Sequence, residues 1–216
     1  ITLEYLQGSD EGNADDIAVG SVLEVVLDED NQAVSVTVRN LNAGGGFGGS
    51  GEVTNGTSAN TITEDTEVDS ETYTSTGDDE NALRVDGATV TLKDITIEKT
   101  AGSSSNTEDG DFYGLNAGLL VLNGATATIT GATVNTSVTN GNGVFSYGEG
   151  TVVNISDSTI RTTENNSGGI QTTGGGTMNA TNLDVETQGN SAAAIRSDRG
   201  GGTVNVDGGS YVTNGT

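Results

Sequence analysis

The chain has 216 residues, with 34 Gly, no Pro, no Cys and no His, and a hydrophobic content of 31%. Its 31 acidic residues against 7 basic ones give a net charge of −24, which excludes nucleic acid and anionic membrane as partners, because phosphate binding takes clustered Lys and Arg. The lack of His and Cys removes histidine bases, thiol nucleophiles, disulfides and the usual zinc sites, and no stretch is long and apolar enough to span a bilayer.

In chain order, residues 1–40 form a small element of their own. Ile1–Leu6 reads as a short strand and Gly8–Asp16 as a polar acidic loop. Val22–Leu27 and Ala33–Val38 are apolar runs on either side of Asp28-Glu29-Asp30-Asn31-Gln32, the pattern of a β-hairpin. This hairpin is either a small module or a cap on the repeats C-terminal to it. Residues 41–60 contain Ala43-Gly44-Gly45-Gly46-Phe47-Gly48-Gly49-Ser50-Gly51 and read as a Gly-rich linker or excursion. No Lys comes after the glycines, so they do not make a phosphate loop.

From residue 61 to residue 216 the chain repeats. The small residues Ala82, Gly118, Gly143, Gly169 and Ala194 are spaced 36, 25, 26 and 25 apart. A second column, Leu92, Ile129, Ile155, Ala180 and Val206, steps by 37, 26, 25 and 26. Two columns that keep one step mark a repeat of 25–26 residues, and in a Thr/Val/Ile/Gly/Asn-rich chain this predicts an all-β solenoid of stacked coils. The inward columns are Val90, Ala127, Val153, Met178, Val204 and the Leu92 column. After a short turn come Ile97, Val134, Ile160, Val185 and either Tyr211 or Val212. Thr91, Thr128, Asn154, Asn179 and Asn205 form an outward polar ladder. A second outward column reads Glu98, Asn135, Arg161, Glu186 and Thr213. The first well-aligned coil is longer than the others, and the excess falls in Gly102–Tyr113, read as a loop carrying three carboxylates and two aromatics. The chain reads as a fragment of a longer precursor, truncated at its C-terminus.

The segments Asp86–Ile97, Asn123–Val134 and Gly150–Ile160 repeat one pattern, and Ser197–Val206 with Gly208-Gly209-Ser210-Tyr211 shares it. This resembles the pectin-lyase-like right-handed parallel β-helix of bacterial secreted and cell-surface adhesin-like proteins. The resemblance implies an extracellular or cell-surface setting and a carbohydrate partner. That fold carries many functions, so activity has to be argued from sites.

An enzyme on this fold would draw on carboxylates with Arg84, Arg161, Arg196, Arg199, Lys93 or Lys99. Arg161 beside Glu186, and Asp198 beside its arginines, read as ion pairs. Asp157 and Asp184 fall on adjacent coils but in different local structure, and do not define a glycosidase pair. Calcium takes several oxygen ligands. Candidate ligands are Asp28, Asp30 and Asn31 in the hairpin turn, and Glu108, Asp109 and Asp111 in the long coil. Asp10, Glu11, Asn13, Asp15 and Asp16 form a third acidic cluster. The expectation is a non-catalytic adhesin-like or structural module. It would bind a glycan or surface protein through its outer ladders and through Phe112, Tyr113, Asp109 and Asp111. A polysaccharide lyase and a plain structural spacer are the alternatives, and the oligomeric state is left open.

Overall fold

The structure, a computed structural model, describes residues 4–7, 10–12, 22–28, 32–39 and 54–215. The chain divides into two units, Ile1–Val53 and Thr54–Thr216. In the first, Val22–Leu27 pairs antiparallel with Ala33–Arg39 as the expected hairpin, with a register irregularity between Val26 and Leu27. Asp28 closes the turn: its amide donates to Gln32 O and its carboxylate accepts from the Gln32 amide, both at 2.9 Å. Glu4–Gln7 lies parallel to Ala33–Arg39 on that strand's other side. The expected loop at Gly8–Asp16 is corrected in part, because Asp10–Gly12 is a strand antiparallel to Glu4–Gln7. The free edge of Glu4–Gln7 needs backbone partners, and this return supplies them.

The second unit is a parallel β-solenoid of six coils, at residues 61–81, 82–117, 118–142, 143–168, 169–193 and 194–215. Each coil gives one strand to each of three six-stranded parallel sheets. The first sheet holds Thr61–Ile62, Leu83–Asp86, Leu119–Leu122, Val144–Tyr147, Ile170–Thr173 and Ile195–Ser197. The second holds Thr66–Asp69, Thr89–Lys93, Thr126–Thr130, Val152–Ser156, Gly176–Thr181 and Gly202–Asp207. The third holds Thr72–Ser75, Thr96–Lys99, Thr133–Thr136, Thr159–Thr162, Asp184–Thr187 and Ser210–Thr213. Thr57–Ser58, inside the segment expected as linker, pairs with Glu80–Asn81.

Register between coils is in phase throughout. Val90 pairs with Ala127, then Val153, Met178 and Val204. Leu92 begins the next inward column and Ile97 the one in the third sheet. Tyr211, not Val212, continues the Ile97 column beside Val185. The outward column of Glu98 therefore ends at Val212 and not at Thr213. The residue two before Val212 starts the strand, so the pleat sends Val212 outward. These inward residues and those of the first sheet form one continuous core, with Leu83, Leu92, Ile97, Leu119 and Ile160 fully buried. Each such side chain contributes ~1.5–3 kcal/mol by leaving water.

Three corners of each coil are set by local chemistry. The turn between the second and third sheets places Ser70, Asp94, Gly131, Asp157, Asn182 and Gly208 at φ between 49° and 71°. This left-handed conformation is low in energy only for Gly, Asn, Asp and a few small residues. The small column Gly118, Gly143, Gly169 opens the first sheet where there is no room for a side chain. A Cβ on Gly143 would lie 2.5 Å from Ile160 Cγ2 and 2.7 Å from Gly169 O. The third corner carries a buried hydroxyl: Thr136, Thr162 and Thr187 each donate to the carbonyl five residues on, at Gly141, Ser167 and Ala192. In the second coil this position is Lys99, fully buried, donating to Ser75 Oγ at 3.1 Å and Gly77 O at 2.6 Å.

At the left-handed corner, Asp157→Val should cost roughly 1–2 kcal/mol while Asp157→Gly stays close to neutral. Urea unfolding of the two variants checks this, and equal midpoints would contradict it.

Candidate functional site

The insertion expected as a loop folds in part as a helix, α1, at Thr107–Tyr113. Asn106 caps it, accepting from the Glu108 amide at 2.9 Å and the Asp109 amide at 3.4 Å, and Gly114 ends it at φ 74°. Glu108 and Asp109 in the first turn suit the positive end of the helix dipole. Seven residues cannot hold a helix in water on their own. Here the solenoid does so, because α1 lies across the outer face of the first sheet.

That docking satisfies the carbonyls that a helix end leaves unpaired. Asn142 Nδ2 donates to Gly110 O at 3.1 Å and Thr173 Oγ1 to Phe112 O at 2.6 Å. Gln171 Nε2 donates to Asp111 O, and Asn55 Nδ2 to Tyr113 O. Gly110 is required by closeness: a Cβ there would sit 2.4 Å from Asn140 Cγ. Beneath the helix end is a second apolar cluster of Ala117, Leu120, Leu122 and Phe145, with Tyr147 packed against it. Tyr113 meets Tyr147 edge to face at 5.6 Å between ring centroids.

The candidate ligand residues are thus drawn into the fold. Tyr113 is 5% exposed, Asp109 7% and Asp111 9%. Phe112 is half-buried, with the Arg199 guanidinium 3.8 Å and the Arg196 guanidinium 5.7 Å from its ring centre. Asp111 accepts from Asn140 Nδ2 at 2.9 Å and Asn166 Nδ2 at 3.3 Å, and Arg196 approaches at 3.8 Å. Arg196 also grips Asp198 at 2.7 Å, as the sequence indicates, and Arg199 reaches Glu108 at 3.5 Å. Burial pushes the Asp111 carboxyl above the usual carboxylate range, and Arg196 offsets this only in part. Burial likewise raises Asp109, with Glu108 and Asp79 adding to the rise. Asp111 and Arg196 line a cleft of about 470 Å³ with Asn166, Ser191 and Thr213.

Glu108, Asp109 and Asp111 do not converge, and among the described residues no three acidic groups gather as a metal site. Asp28 is exposed at its turn, while Asp30 and Asn31 lie outside the described residues, as do Asn13, Asp15 and Asp16. Asp10 and Glu11 stand in a strand. Each basic side chain of the second unit is engaged. Arg84 holds Asn55 O, Gly56 O, Thr57 O and Asn81 Oδ1. Lys93 faces Asp69 and Asp94 at 3.7 and 3.9 Å. Arg161 pairs with Asp184 at 2.5 Å and Glu186 at 3.8 Å. Burial lowers the Lys99 ammonium's pKa, against the pull of Glu80, Asp78 and Asp79. Asp157 and Asp184 share a shallow groove with Ser158 and Ser210, and Asp184 is occupied by Arg161.

The outer face of the second sheet is uncharged and regular across its middle coils, between Glu67, Asp69 and Lys93 at one end and Asp207 at the other. In the second sheet, the outward residues of the third to fifth coils are Thr126, Thr128, Thr130, then Val152, Asn154, Ser156, then Thr177, Asn179, Thr181. Asn179 Nδ2 donates to Asn154 Oδ1, and Asn205 Nδ2 to Asn179 Oδ1, both at 2.8 Å. All three amides point the same way, and each keeps hydrogen-bonding capacity for a partner. Over the same three coils the third sheet's outer face carries Arg161, Asp184 and Glu186. No helix of the described residues is long and apolar enough to cross a membrane. Compared with protein-family models, curated proteins and solved structures, the chain matches none of them.

The docked helix can be probed in two ways. Tyr113→Ala should destabilise the solenoid by about 3 kcal/mol, through lost burial and the cavity left beneath it, read as a lower urea midpoint. Asp111 has a raised pKa in the folded state, so it contributes stability at low pH that is lost as pH rises through that pKa. The stability of the wild type minus that of Asp111→Asn should therefore fall from acid to neutral pH. Urea midpoints of both proteins across that range check the sign, and a flat or rising difference contradicts it.

Proposed function

We propose that this chain is a non-catalytic β-solenoid module of an extracellular bacterial surface protein. It is adhesin-like in the manner of the pectin-lyase-like right-handed β-helices, and it presents the outer face of its second sheet to a neutral glycan. The observation that carries this reading is the absence of charge from that face over three coils of a chain with net charge −24. A surface that stays clear of charge in so acidic a chain suits a partner that is itself uncharged and rich in hydroxyls. Thr hydroxyls and Asn amides repeat at the coil spacing of ~4.8 Å, so an extended sugar chain would meet many weak contacts in series. Avidity would come from their number and not from a deep pocket.

A polysaccharide lyase is less well supported. Such chemistry needs a Lys or Arg free to take a proton beside a groove, and the basic side chains of the second unit are committed to carboxylates, carbonyls or amides. A plain spacer would have the same architecture without the ligand.

The test is binding to immobilised neutral polysaccharides, such as glucans, mannans and galactans, with Thr128→Glu/Asn179→Glu as the face variant and Glu98→Gln as a control on the third sheet. The wild type and the control should bind alike, with little dependence on salt. The face variant, its fold verified by circular dichroism, should bind at least about tenfold more weakly. A wild type that binds none of these sugars, or a face variant that binds as well as the wild type, removes the reading.

A further inference from the structure

We propose that α1 is a strap that makes the coils it crosses open as one unit. In a solenoid each coil touches only its neighbours, so stability is a sum of local terms and the ends are free to fray. Here the second coil does not stop at its neighbour. Through α1 and its cap Gly114 it reaches Asn140, Asn142 and Leu120 of the third coil, and Phe145, Tyr147 and Asn166 of the fourth. It reaches Gln171 and Thr173 of the fifth, and Arg196 and Arg199 of the sixth. The Glu108–Arg199 contact joins residues 91 apart.

The outer face of the first sheet changes coil by coil to fit the strap. Leu120 and Leu122, then Phe145 and Tyr147, offer apolar surface under the helix end. In register above them, Gln171 and Thr173 offer donors to its carbonyls. Above these, Arg196 offers charge to Asp111 and a cation to the Phe112 ring. Opening the fifth coil would strip Asp111 O and Phe112 O of their partners while the helix stayed buried, and an unpaired buried carbonyl is costly. Opening the sixth would leave Asp111 without its cation. Either event penalises the second coil, and by reciprocity any weakening of the helix in the second coil loosens the sixth.

Hydrogen exchange read by mass spectrometry tests this on the intact chain, with Asn106→Ala as the variant. Asn106 is exposed, and its hydrogen bonds stay within the second coil, where it caps the helix. Losing the cap should speed exchange of the sixth-coil amides at 195–197 and 202–207 by about fivefold. Arg161→Ala, on the third sheet and away from the strap, should change only residues near 159–162 and 184–187. Unchanged sixth-coil exchange in Asn106→Ala would overturn the proposal. Should that variant not fold, the wild type decides: similar protection from the second to the sixth coil supports the strap, and protection that declines steadily toward the sixth overturns it.

Discussion

In-phase stacking of parallel strands is the constraint on which everything else in this molecule rests. The strand amides of a coil bond to the coils beside it, so a residue sits directly on its counterpart, 25 or 26 positions away from the third coil on. Side chains are then selected in columns. From the second coil on, a column facing inward is apolar, and smaller residues such as Ala127 and Ala180 stack with larger ones such as Met178 and Ile155 so that the core fills as a whole. A column at a left-handed corner must be Gly, Asn, Asp or a small residue. A column at the tight opening of the first sheet must lack a large side chain. The low apolar content is enough because each coil fills only a thin slice of core.

The same constraint explains what can be read from the sequence. Columns repeat in sequence because they repeat in space, so the second and third sheets, their inward residues and the hairpin of residues 22–39 are legible directly. The first sheet is less so. Its outward positions run Arg84, Leu120, Phe145, Gln171, Arg196 and keep no period, since Arg84 holds the carbonyls of residues 55–57 while the other four meet different parts of α1 and its C-terminal end. The irregularity that hides the strand is the signature of what covers it. The helix has local signals: Asn106 followed by Glu108 and Asp109, and a Gly at 114. Its polar, glycine-containing interior masks them, since a segment of seven residues shows no helical period. Phe112 and Tyr113 resemble ligand contacts because aromatics are rare in this chain, yet the same rarity fits a residue that closes an apolar patch. The neutrality of the second sheet's middle coils is latent in the Thr/Asn ladder and becomes visible only against the charges of the third sheet at the same level.

The molecule divides its outer surface by task. One sheet face is covered by the strap, one is charged and knitted by Arg161, and one is neutral over its three middle coils. The buried polar groups obey the same division. Asp111, Gln171 and Asn142 each join α1 to the stack, so polar burial links elements that hydrophobic packing alone would leave as independent layers.

Lys99 stands where the third, fourth and fifth coils use a threonine. Those threonines close a corner by reaching a carbonyl five residues downstream, which the long insertion carries out of range in the second coil. The lysine instead spans back to Ser75 and Gly77 of the preceding coil. The helix is therefore not a cassette that can be moved alone. Grafting it into another coil would demand a lysine at that coil's corner together with a serine and an open carbonyl in the coil before it. Lengthening one turn of this rod thus rewrites the chemistry of the turn beneath it.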